Sequence, residues 1–196
     1  MSDLYDRLEE IQGMVRVLTG DVELLKSELG DLSGQAALTE SEAAHRRFYV
    51  RAVFSLIEAI VEQHKRLLLD LVARGSITLG EGVREALSEK IYVVKDNGAV
   101  GDREQYLQLE RKLRAVYRAA GEAFGQQLAV TFGDQGWESF RTALGIRDRL
   151  THPKTCANWA VEGDDINTVD RGHNWFRGLN NDFVRVARLH RESGGW

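Results

Sequence analysis

A chain of 196 residues with one proline and one cysteine has few ways to punctuate or cross-link itself. The lone Cys156 excludes an internal disulfide. Proline is almost absent and alternating strand patterns are scarce, which argues against a sandwich or barrel and leaves an all-α fold. No stretch approaches the roughly 18 apolar residues of a membrane-spanning helix, and no signal-peptide pattern precedes the first helical segment. The expectation is a cytoplasmic protein with no membrane partner. Positive charge is also short. The net charge of −4 excludes the broad basic surface of a tight, sequence-blind nucleic-acid binder. Gly75, Gly80 and Gly82 form no phosphate loop, because no Lys-Ser or Lys-Thr follows them. His152, Cys156 and His173 match no established zinc spacing, so neither a metal nor a cofactor is expected.

With 43% hydrophobic and 29% charged residues, the chain can bury an ordinary core. Its charge is unevenly spread. Residues 1–42 carry a net −7 and residues 43–196 a net +3. The acidic part is also the most regular. Leu8, Val15, Val22 and Leu29 at a, with Leu4, Ile11, Leu18, Leu25 and Leu32 at d, form a heptad seam. Gly13 and Gly20 both fall at f, outside the seam. Residues 1–34 therefore read as a coiled-coil arm that pairs with a second copy or another partner helix, the alternative being an amphipathic helix packed on its own domain. Asp21 at g and the following Lys26 at e could pair across a dimer.

Gly30, Ser33 and Gly34 separate this arm from a helical domain over residues 38–192. A long helix is expected from Glu40 to Arg74, closed by Gly75. A short one is expected over Glu81–Tyr92, followed by a turn at Lys95-Asp96-Asn97-Gly98. Another helix should span Asp102 to Leu128, with Arg111, Lys112, Arg114 and Arg118 as a basic stripe. A further helix begins at an Asp134 N-cap, and the last runs over Asp165–Arg191. His45-Arg46-Arg47 and His64-Lys65-Arg66 belong on the solvated face of the long helix, where either could line an RNA path. Trp137, Trp159 and Trp175 read as core residues.

The Asp134 helix holds the most informative segment, Arg147-Asp148-Arg149-Leu150-Thr151-His152-Pro153-Lys154. Trp137, Phe140, Ala143, Leu144, Ile146 and Leu150 fill one helical arc. Arg147 falls near the middle of that arc and Arg149 opposite it. A guanidinium centred on a buried face needs an anionic partner, so Arg147 should point into an interface or a cleft. His152 stands where Pro153 stops the helix. An always-charged arginine beside a titratable histidine suits phosphodiester chemistry. Spacing alone proves little, since twenty arginines and five histidines yield about half such a match by chance. Arg185 and His190 repeat the spacing, but Arg185 lies opposite its helix's apolar arc and no proline follows.

Arg147, Asp148 and His152 resemble the signature of the HEPN superfamily (higher eukaryotes and prokaryotes nucleotide-binding). That signature is arginine, a polar residue, three further residues and histidine. Pro153-Lys154-Thr155 and Asn174-Trp175-Phe176 add to the likeness, which covers about residues 40–192. The resemblance implies an all-helical HEPN-like bundle acting as a metal-independent endoribonuclease, in a defence or toxin–antitoxin role. It implies a homodimer whose two Arg147–His152 ends face each other as one composite site. Arg147, Asp148 and His152 would then be catalytic, Arg149, Thr151 and Lys154 would contact RNA, and a cognate antitoxin would be a further partner. HEPN-like bundles can also be inactive dimerisation or adaptor modules, in which case the arm would be the functional element.

Overall fold

The computed structural model describes residues 2–29 and 38–195, with side chains of the first helix described from Ile11 onward. It is mostly helical. In chain order the elements are α1 (Ser2–Glu28), α2 (Glu40–Ala73), α3 (Glu81–Ser88), β1 (Lys90–Val94), β2 (Val100–Glu104), α4 (Leu109–Ala123), α5 (Gln135–Thr151), a 3-10 turn at Cys156–Trp159, and α6 (Gly163–Glu192). Among the described residues no helix is long and apolar enough to cross a membrane. The chain divides into two units, and α2 and α6 each contribute to both.

The first unit comprises residues 1–60 and 131–178. Its core combines Val50, Val53 and Ile57 of α2, Trp137, Phe140 and Leu150 of α5, and Ile166, Val169 and Phe176 of α6. Aromatic rings fill one end: Trp137 stacks on Phe140 at 5.5 Å and meets Trp175 at 5.1 Å. The two helices approach closely because Gly172 has no side chain. A Cβ there would lie 2.9 Å from the Phe140 Cα. Of the described heptad residues, Val22 is buried, while Ile11, Val15, Leu18, Leu25 and Leu29 are half-buried. Close to Val22, Lys26 pairs with Asp170 at 3.0 Å, and Asp170 also accepts a hydrogen bond from the buried Tyr49 hydroxyl. Burial and then the Asp170 carboxylate raise the Tyr49 pKa. Leu32, together with the side chains of Leu4 and Leu8, lies outside the described residues.

The second unit comprises residues 61–130 and 179–196. Leu68 and Leu71 of α2, Leu113, Val116 and Tyr117 of α4, and Phe183 and Val186 of α6 are buried in it. Gly75 ends α2 at φ 73°, with Ser76 N–H donating to the Leu71 carbonyl at 2.9 Å. The expectation of helix over Asp102–Leu128 is corrected here. β1 and β2 form an antiparallel hairpin in register Lys90↔Glu104 to Val94↔Val100, and α4 starts only at Leu109. Asp96-Asn97-Gly98 make the turn, Gly98 taking φ 76°. Two further expectations fail. Lys65 is buried, not solvated, and pairs with Glu62 at 2.8 Å and with Glu89. Lys112 joins both carboxylates, and Arg114 and Arg118 pair with Glu110 and Glu122, so the α4 stripe is largely neutralised. Burial opposes ionisation of Glu62 and Glu89, but the lysines prevail and hold both pKa values below the usual carboxylate value.

Candidate functional site

Helix α5 begins where the Asp134 side chain accepts the Trp137 N–H at 2.8 Å, a cap worth about 1 kcal/mol. From that start the helical period carries Trp137, Phe140, Ala143, Ile146 and Leu150 into the core. Arg147 falls within the same stripe but is only half-buried, its side chain 20% exposed. Its guanidinium donates from Nη2 to Glu58 of α2 and from Nη1 to Asp148 Oδ1 at 2.9 Å. Its Cζ stands 5.6 Å from the centre of the Phe54 ring. Two carboxylates and an aromatic face thus meet the charge that the helical pattern placed within the apolar arc.

Arg147 lines an open cavity of about 440 Å³. Arg51, Phe54, Ser55 and Glu58 of α2 line it too, with Leu150, Thr151, Pro153 and Trp159. Arg51 Nη2 donates to the Leu150 carbonyl at 3.2 Å, satisfying one of the acceptors left open at the end of α5. Thr151 Oγ1 returns a hydrogen bond to the Arg147 carbonyl at 3.0 Å.

His152 occupies the C-cap of α5 with φ −127° and ψ 62°. Its N–H still bonds the Asp148 carbonyl at 2.9 Å, but the residue is exposed and does not line the Arg147 cavity. Among the described residues its imidazole has no hydrogen-bond partner. Beyond Pro153, the Lys154 and Thr155 N–H groups donate to Asn158 Oδ1 at 2.8 and 3.1 Å, fixing the 3-10 turn. The Lys154 side chain is exposed. Arg149 points elsewhere: it pairs with Asp165 in the first turn of α6. Of the residues nominated from sequence, the structure therefore brings Arg147 and Thr151 to the cavity, keeps Asp148 as Arg147's partner, and leaves His152, Arg149 and Lys154 outside its lining.

The chain matches no family model, no curated protein and no solved structure.

Arg51, Phe54 and Glu58 were not nominated from sequence, although they recur along α2 at helical spacing. Trp159 was expected in the core, but it is 41% exposed on the cavity rim. The Arg47 and Arg51 guanidinium carbons lie 5.8 and 5.4 Å from its ring centre. Neighbouring Arg46 is buried, contrary to expectation, and donates to the Val161 carbonyl at 3.1 Å.

The repeated spacing at Arg185 and His190 has different surroundings. Arg185 is 46% exposed and bonds Asp182 and the Gln127 carbonyl, whereas the His190 ring packs 5.2 Å from Phe124. Among the described residues no group of three or more histidine, cysteine or carboxylate side chains converges as a metal-ligand set.

Proposed function

We propose that this chain is a metal-independent endoribonuclease of the HEPN type. It would work as a homodimer with a composite site and serve as a defence or toxin–antitoxin effector. The observation that carries this reading is Arg147: a guanidinium aligned by Glu58 and Asp148 in the wall of an open cavity, five residues before a histidine freed from helical geometry.

The chemistry follows from the residue types. A ribose 2′-oxygen attacks the adjacent phosphorus while the bond to the 5′-oxygen breaks, leaving a 2′,3′-cyclic phosphate and a 5′-hydroxyl. His152 takes the 2′-hydroxyl proton, and His152 of the second copy returns one to the leaving oxygen. Such positioned proton transfer contributes about 10²–10⁴ in rate. Arg147 stabilises the charge that grows on the non-bridging oxygens. The exposure of His152 suits a site completed by a second copy. The heptad spacing of α1 supplies a seam on which two copies would pair, although their own chain already buries Val22 and half-covers Ile11, Val15 and Leu18.

One observation favours the second reading, an inactive HEPN-like adaptor working through its arm. Arg147 already has two carboxylate partners, and a phosphate must compete with them. Cleavage of RNA in EDTA, with the end groups determined by mass spectrometry, separates the two. The ribonuclease gives 2′,3′-cyclic phosphate ends and loses activity in His152→Ala. Strict divalent-metal dependence with 3′-hydroxyl ends overturns this chemistry, and full activity in His152→Ala favours the adaptor.

A further inference from the structure

Trp159, a large apolar residue, is 41% exposed at the rim of the Arg147 cavity. Arg47 and Arg51, one helical turn apart on α2, both approach that ring. Like charges at this spacing repel. The indole offsets part of the repulsion through its electron-rich face. Among the described residues neither arginine has a carboxylate partner. By contrast, Arg141, Arg147 and Arg149 in the same unit all pair with carboxylates. Unneutralised guanidinium charge is therefore gathered around an exposed aromatic plate. The 440 Å³ cavity lies within the roughly 300–1,000 Å³ of small-ligand sites.

We infer that Trp159, Arg47 and Arg51 form a subsite for one unpaired nucleotide of single-stranded RNA. The base stacks on Trp159, as bases do on aromatic platforms in single-strand binding. Arg47 and Arg51 take the flanking phosphates. Because Trp159 and Arg147 line the same cavity, this subsite would present the strand to Arg147. In this the inference rests on the ribonuclease reading. It adds a substrate requirement: a base held in a duplex offers no free face, so paired RNA is excluded.

The test uses the full chain and a fluorescein-labelled 2′-O-methyl RNA strand, which lacks the attacking hydroxyl and cannot be cleaved. Anisotropy is measured for this strand alone and annealed to its complement. The single strand should bind more tightly than the duplex. Trp159→Ala should lower single-strand affinity roughly tenfold, with circular dichroism unchanged, and Trp159→Phe should keep most of it. Arg47→Gln should reduce the slope of log affinity against log salt by about 0.7, the value for one lost phosphate contact on a single strand. Unchanged affinity in Trp159→Ala, or duplex bound as tightly as single strand, overturns the subsite.

Cleavage of ordinary RNA, run in parallel, separates the two ideas. Trp159-dependent binding without any cleavage leaves the subsite standing and removes the nuclease. Cleavage abolished by His152→Ala, but with strand affinity indifferent to Trp159, does the reverse.

Discussion

Acidification from about pH 7 to pH 5 should destabilise the protein through His64. The residue keeps some contact with solvent, but its ring is stacked on Phe183 at 3.7 Å and its Nδ1 faces the Tyr117 hydroxyl at 3.1 Å. Burial withholds hydration from the imidazolium, and the pKa falls from the usual 6.5 to about 3. In the unfolded chain the same ring protonates near 6.5. Between these values the unfolded state binds the extra proton, so stability falls as the pH falls. Down to pH 5 the loss is about 2 kcal/mol. That is a large share of the roughly 5–15 kcal/mol that holds a typical domain folded. Glu62 and Glu89 do not blur this interval, because their depressed pKa values place their losses below the usual carboxylate value of 4.5. Urea unfolding of the parent and of His64→Gln, at both pH values, measures the effect. Glutamine retains a polar partner for Tyr117 without titrating, so the pH dependence of the variant should shrink by about 2 kcal/mol. An equal decline in both chains would refute the assignment, as would a His64 ring that titrates normally by NMR in the folded protein.

Three further outcomes are expected. Arg147→Ala and His152→Ala should each abolish RNA cleavage while the fold persists, whereas Arg185→Ala should change activity little because that side chain is exposed. His190→Ala should cost stability through its packing near Phe124 without removing catalysis from folded molecules; equal losses in both arginine–histidine pairs, assayed with circular dichroism, would mean the wrong site was chosen. Deleting residues 1–34 should weaken self-association by light scattering and leave the remaining helices folded; unchanged mass and dissociation would show that α1 serves only its own chain, where Val22 is buried and Lys26 meets Asp170.

The helices legible in the sequence are those whose burial follows one period. In α5 the apolar arc, the Asp134 cap and the need of Arg147 for anionic partners all emerge from local spacing. The hairpin did not. Its strands are five residues each and almost wholly exposed, so they carry no alternation, and only β-branched content and Asp96-Asn97-Gly98 marked them. Arg46 and Lys65 were misplaced because what buries them comes from distant sequence, the Val161 carbonyl and Glu89. Glu58 was invisible as a partner of Arg147 for the same reason: 89 residues separate them. Trp159 sits in a four-residue turn, too short for periodicity to assign a face.

The end of α5 also divides two residues by their degrees of freedom. Arg147 is tied at both guanidinium ends, while His152 stands one residue beyond the last helical position with its ring untied. The His152 backbone is already held by its N–H bond to the Asp148 carbonyl, so what ordering costs is the rotamer freedom of the ring, at most about 2 kcal/mol. In an isolated copy nothing described supplies that cost. If the composite-site reading holds, the second copy or the bound strand must supply it. Turnover would then rise more steeply than linearly with protein concentration near the dimer dissociation constant, and the monomer would be a latent form with no separate inhibitor.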